Sequence, residues 1–339
     1  MVNVKGYISS NFTKAFLTIF LPFFLIISLV YLVKISSLTS QIQITFAELL
    51  TLYSYSIPNI IFYTLPLSFI AALANVLLKL SQDNELIALY ALGLKAKKVL
   101  HSLLLLGLLF SLLLATISFL AMPLSKQLYK EFTSSKKAEA KINIVAGKLG
   151  QKFGDYYIYV KANKKDAFQD IVIYNRTKKD EEQFFSSQEG RLNKTDGITS
   201  LELNDGYGYT YTKDKLQQAQ YKRLEVFDTA KNESFHFEDI VAHWSKAQTN
   251  IKMLHRVLFF IFVSLIPLLS VYLVAAFTMI NPRYQSNRSF LVIFLTTLGL
   301  YMTASSLEKW GTFTILGITV IIIFFLGRQL FHIRVAKYF

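Results

Sequence analysis

The chain has 339 residues, of which 53% are hydrophobic, a formal net charge of +14 and no cysteine. Soluble domains are about 45–50% apolar, and here the excess is gathered into long runs, which excludes an ordinary soluble globular domain. Without cysteine there can be no disulfide, thiolate metal ligand or cysteine nucleophile, and the positive charge comes with no nucleic-acid reader motif, so nucleic acid is not an expected partner.

The first apolar run, 12–33, contains FLTIFLPFFLIISLVYLV. It is longer than the roughly 7–15-residue core of a signal peptide, and no small-residue cleavage site follows. It is therefore expected to be a retained helix, with Pro22 tolerated inside the span. Further runs at 57–78, 99–122, 257–280, 290–307 and 311–327 approach the roughly 20 residues needed to cross a bilayer, giving six spans. Lys34 stands at the outer end of the first run with no acid close in sequence. Either it snorkels to the headgroups, or it faces an anionic phosphorylated lipid.

Between the second and third runs lies SQDNELIALYALGLKAKKVL, residues 81–100. Its spacing predicts a short amphipathic helix over about 83–94. Asp83 or Asn84 caps the start, Glu85 adds negative charge to the first turn, and Leu86, Leu89 and Tyr90 form one apolar face. Gly93 permits a left-handed stop. In its plainest use such a helix lies flat on the headgroups.

Residues 125–252 form a polar insertion that divides the chain into 1–124, with spans one to three, and 253–339, with spans four to six. YYIYVKA, DIVIYN, GITSLEL and GYGYTYT read as short strands separated by polar turns. The fold class is thus a polytopic α-helical membrane protein, 3+3, with an inserted β-domain of sandwich, jellyroll or small-barrel type. Tyr207, Tyr209 and Tyr211 share a strand face and either fill the sheet core or line an acyl-chain groove. The edge strands are natural docking sites for another β-domain.

Lys79, Lys95, Lys97, Lys98, Arg283, Arg288, Arg328, Arg334 and Lys337 flank one side of the spans, while the opposite short loops carry Lys34 with Glu48 and Lys309 with Glu308. By the positive-inside rule both termini are cytoplasmic and the insertion is periplasmic. Asn281-Pro282-Arg283 after the fourth run reads as a helix stop with a headgroup anchor, or as a second cytosolic contact through Arg283.

No Walker A, zincin, nucleophile-elbow or dinucleotide fingerprint occurs, and the five histidines are scattered. No metal site or cofactor is expected, and no nucleophile–base set supports a hydrolase. Strong charge within the runs is limited to Lys14 and Arg256 near their starts, which counts against an ion-coupled transporter. Energy for any transport must come from elsewhere.

ELIALYALGLKAKKVL at 85–100 resembles the E-L-x-x-x-x-A-x-G coupling-helix segment of the LptF/LptG permeases of the lipopolysaccharide exporter. The 3+3 arrangement resembles that family over essentially the whole chain. GRLNKTDGITSLELNDG at 190–206 is similar to its jellyroll pattern, and NPR at 281–283 to its F side. The resemblance implies a non-catalytic inner-membrane permease that takes lipopolysaccharide from the outer leaflet. Its implied partners are a second six-span permease, a cytoplasmic ABC ATPase dimer carrying ATP and Mg2+, a periplasmic β-jellyroll bridge and a single-span β-jellyroll subunit. Glu85, Leu86, Leu89, Tyr90 and Gly93 would couple to the ATPase, and Lys34 would sit near the lipid entrance. Phe24, Leu65 and Phe69, in the outer halves of spans, are further lipid-lining candidates, and Ile158, Val160, Ile173 and Leu203 either mark a cargo path through the β-domain or simply fill its core. The rival reading is a membrane scaffold whose periplasmic domain binds a protein and which moves nothing.

Overall fold

The computed structural model describes residues 4–39, 44–142, 144–153, 156–164, 167–178, 181–195, 198–212, 215–227, 237–279 and 289–337. Arg283 and the rest of the NPR turn lie outside them. The chain divides into two compact units, one built from 46–129 with both ends of the chain, the other from the middle.

The helical unit contains α1 (Val4–Thr39), α2 (Phe46–Gln82), the short α3 (Glu85–Ala91) and α4 (Ala96–Thr116). After a π-helical stretch, Ile117–Ala121, come α5 (Met122–Ile142), α6 (Ile240–Ser245), α7 (Ile251–Thr278), α8 (Ser289–Trp310) and α9 (Phe313–Phe331). Six helical stretches are long and apolar enough to cross a membrane. Most outrun the apolar windows of the sequence, because polar turns at their ends continue the helical hydrogen bonding. The second and fourth spans, α2 and α7, are the buried pair, whereas α1, α8 and α9 leave rows of Leu, Ile and Phe uncovered. Without lipid or a partner subunit such rows would be a severe liability in water.

Close approach rests on two glycines. A Cβ on Gly107 of α4 would meet Val271 Cγ2 of α7 at 3.1 Å and the Pro267 carbonyl at 3.2 Å. A Cβ on Gly327 of α9 would meet Tyr272 Cβ of α7 at 3.1 Å. Pro267, inside α7, lacks the backbone donor of an ordinary helical residue. Next to it the Leu268 amide donates to Ser111 Oγ of α4 at 3.2 Å. At the far end of the same helix, the Ser81 hydroxyl of α2 donates to the Thr278 carbonyl at 3.0 Å. The first half of α1 is held by rings: Phe12 lies 5.0 Å from Phe69, and Phe16 lies 4.8 Å from Phe110.

The β unit is one antiparallel sheet of six strands in chain order. They are β1 (Gln151–Phe153), β2 (Tyr156–Lys164), β3 (Ala167–Lys178), β4 (Glu181–Thr195), β5 (Ile198–Thr212) and β6 (Lys215–Phe227). Ile158 opposite Ile173, Val160 opposite Ile171 and Leu201 opposite Val226 fill its core. The two-residue period sends the alternate side chains outwards, where the Tyr174 and Phe184 rings pack tilted with centroids 4.6 Å apart. GITSLEL and GYGYTYT, expected as separate strands, are joined in β5. Asn204 and Gly206 keep partners Glu189 and Ser187 on β4, while Asp205 between them takes a left-handed φ of 51°.

Candidate functional site

The segment read as a coupling helix is α3. Its start differs from the expectation. Asn84 has φ 59°, and no side chain caps the helix. A capping residue needs an extended backbone to aim its side chain at the first turn. Asn84 instead makes the left-handed turn out of α2, a conformation Asn tolerates better than most residues. The end is as the sequence predicts. Gly93 has φ 81°, its amide donates to Tyr90 O at 2.9 Å, and the Leu94 amide donates to Leu89 O at 3.1 Å. These paired bonds form a Schellman stop.

The apolar face of α3 packs on its own unit. Leu86 is buried in the helical core, with Leu89 and Tyr90 half-buried against it. Burial pushes the Tyr90 phenol upward in pKa. Glu85 accepts a hydrogen bond from the Tyr7 hydroxyl at 2.8 Å. The exposed residues of this segment include Asn84, Ala88, Ala91, Leu92 and Gly93, with Leu92 80% exposed. Leu92 was not singled out in the sequence, because an exposed leucine after the last periodic position carries no pattern.

A second feature surrounds Lys34. A cavity of about 420 Å³ is walled by the end of α1, the first half of α2, the starts of α5 and α7, α6 and the end of α8. Lys34, Lys126 and Arg256 line it against a single carboxylate, Glu308. Tyr31, Tyr55, Asn59 and Tyr63 add hydroxyl and amide groups, and Phe259 and Phe260 an apolar wall. Lys34 Nζ stands 5.9 Å from the centre of the Tyr31 ring. Three cations in a half-open, aromatic-lined cavity suit an anionic amphiphile better than a neutral one.

Local chemistry fixes the wall. The π-helical stretch bulges the third span, and the Trp244 indole donates to Phe119 O there at 2.9 Å. Trp244 also packs edge-on to Phe260 at 6.0 Å. Gln127 holds the backbone before α6 from both sides: its amide donates to Glu238 O at 3.1 Å, and its carbonyl accepts from Glu238 N at 2.9 Å. Burial pushes the His243 imidazole below the ordinary histidine range, against the pull of Glu238. The hydrogen bond from Lys246 in turn lowers the Glu238 carboxyl. His243 therefore lines the cavity as a neutral ring near pH 7.

The other lipid-lining candidates lie elsewhere. Leu65 and Phe69 are buried in the helical core, and half-buried Phe24 packs beside Phe20 on α1. Polar grouping at span ends, rather than apolar position within them, defines this cavity. Arg256 and Lys126 could have been found by aligning span ends on one side of the membrane. Ile158, Val160, Ile173 and Leu203 are fully buried in the sheet core. Tyr207 and Tyr211 stand on the exposed face, and Tyr209 and Tyr211 line a shallow groove there with Phe184 and Leu216. Among the described residues no cluster of three or more metal-ligating side chains occurs.

Six bilayer-length apolar helices with an inserted β-domain define a polytopic α-helical membrane protein. The sequence profile of the lipopolysaccharide export system permease LptF/LptG matches residues 6–333. The chain belongs to that family. No curated protein matches it.

Proposed function

We propose that this chain is one transmembrane subunit of an ATP-driven exporter that lifts lipopolysaccharide from the outer leaflet of the inner membrane. The observation that carries the reading is the placement of Lys34, Lys126 and Arg256 around one cavity in a chain of this family. Phosphorylated sugar headgroups would meet the cations, and acyl chains would meet the uncovered apolar rows of α1 and α8. A second, homologous six-span subunit would close the cavity from that side.

The chain itself does no catalysis in this account. A cytoplasmic ATPase dimer binds ATP and Mg2+, docks on the open face of α3, and transmits closure through Leu86 and Tyr90 into the helical core. Both termini face the cytoplasm and the β-domain the periplasm, where its edges meet the β-jellyroll bridge and a single-span subunit. With a photoreactive residue at Asn59, the assembled complex should crosslink lipopolysaccharide. Crosslinks to ordinary phospholipid alone, with normal outer-membrane lipopolysaccharide after depletion of the chain, would favour the scaffold reading.

A further inference from the structure

Arg256 of α7 lines the cavity described above, and Tyr272 of the same helix lines another. They are 272 − 256 = 16 residues apart, which is about 24 Å of helix and close to the roughly 30 Å apolar depth of a bilayer. The second cavity thus lies near the opposite membrane face. It measures about 650 Å³, within the roughly 300–1,000 Å³ of small-ligand sites.

Its walls are α4, α7 and α9, continued by the π-helical turn His332–Ala336. Gly107 and Gly327 let α4 and α9 each press onto α7, leaving the hollow between them. Lys97 and His101 enter from α4, Arg328 from α9 and His332 from the turn beyond it. Among the described residues no carboxylate lines the cavity. Among the described residues none of these four side chains forms an ion pair or hydrogen bond. Arg334 nearby behaves differently, stacking 4.4 Å over the Phe277 ring. Lys97 and Arg328 are thus left without a counter-charge among the described residues.

Below the cationic rim the surface turns apolar. Ile318, Ile321, Ile322 and Phe325 run down α9, each about half-exposed or more, and Leu105 and Leu108 do so on α4. A soluble anion has no use for such a surface, and an acidic protein segment could not follow it into the bilayer. An anionic phospholipid has both parts. Basic pockets between spans at the cytoplasmic boundary bind such headgroups.

We propose that the cavity between α4, α7 and α9 binds the phosphate headgroup of an anionic phospholipid of the cytoplasmic leaflet, at a site separate from the cargo cavity. Only the choice of leaflet rests on the topology of the proposed function.

The full chain, purified in detergent with an equal mixture of phosphatidylglycerol and phosphatidylcholine, is examined by native mass spectrometry. Phosphatidylglycerol should be retained about tenfold over phosphatidylcholine. That preference should vanish in the Lys97→Gln/Arg328→Gln chain and return in the charge-keeping Lys97→Arg/Arg328→Lys chain. Equal preference in the wild-type and Gln chains overturns the site. Displacement of the lipid by excess glycerol 3-phosphate overturns the lipid in favour of a soluble phosphate. Retention of an acidic polypeptide in its place overturns it in favour of a protein. Because the chain lacks cysteine, Gln329→Cys gives a unique label for a membrane-impermeant maleimide on whole cells. Protection is expected, while labelling from outside overturns the leaflet and the topology but not the headgroup chemistry. Lipopolysaccharide crosslinking at Asn59 is scored separately, so failure of the cargo reading is told apart from failure of this one.

Discussion

The Tyr7 hydroxyl reaches 2.8 Å to a Glu85 carboxylate oxygen, tying the first turn of α1 to the first turn of α3 across 78 residues of sequence. In the proposed complex this bond lets a load on the coupling helix reach the span that carries Lys34. Tyr7→Phe and Glu85→Ala should each destabilise the chain by about 0.5–1.5 kcal/mol, and the double variant by little more than either alone. Thermal unfolding of the four chains checks this. Full additivity would dissolve the link.

Two leucines of α3 and its C-terminal cap should behave in opposite ways. Leu86 is 3% exposed and Leu92 is 80% exposed. Leu86→Asp buries an unpaired charge and should cost at least about 3 kcal/mol, seen as a poorly folded chain whatever its partners. Leu92→Asp should fold and insert like the wild type yet, if α3 is the docking site proposed above, fail to retain the proposed ATPase partner in a pull-down. If the Leu92 variant keeps its ATPase, the docking face has been placed wrongly.

Packing at Gly107 gives a prediction about stability alone. A valine there meets Val271 and the backbone of α7, so Gly107→Val should destabilise by about 1–3 kcal/mol. A Cβ at Gly299, also within a helix, meets nothing within 4 Å, and Gly299→Ala should be neutral or slightly stabilising. Melting temperatures measured side by side in one detergent decide between them.

Acid should weaken the cavity wall through His243. Its folded pKa lies below the ordinary value because burial disfavours the charged ring, with Glu238 opposing and Lys246 and Lys126 assisting. In the unfolded chain it titrates near about 6.5, so below that pH the unfolded state binds the extra proton. The His243 contribution is therefore complete above about pH 6.5 and is lost as pH falls through the folded value. His243→Gln should flatten the fall in melting temperature over that window. An unchanged slope would remove His243 as its source.

The six spans, the β insertion and the Schellman stop at Gly93 were legible because each rests on a local rule of length, alternation or backbone freedom. The side on which Leu86 packs was not. A face buried on its own bundle and one buried on a partner have the same periodicity. Strand β6 was silent too, since KLQQAQ places polar, exposed side chains on both faces of the sheet. The Lys34 cavity escaped for a different reason. It joins helix ends far apart in the chain, from Tyr31 to Glu308, and no window of sequence contains both.

The bond from the Leu268 amide to Ser111, beside the clasp at Gly107, has a mechanical corollary. Sliding α4 along α7 by one turn would break that bond and drive side chains into the space only a glycine leaves. The two helices are locked in register and must travel together as a single beam. The outer half of α1 meets the bundle through the Tyr53 hydroxyl on Ser28 at 2.9 Å and through buried Ile35. In the proposed transport cycle the outer part of α1 is then the leaf expected to swing when the Lys34 cavity changes size, with the α4–α7 beam as its door frame.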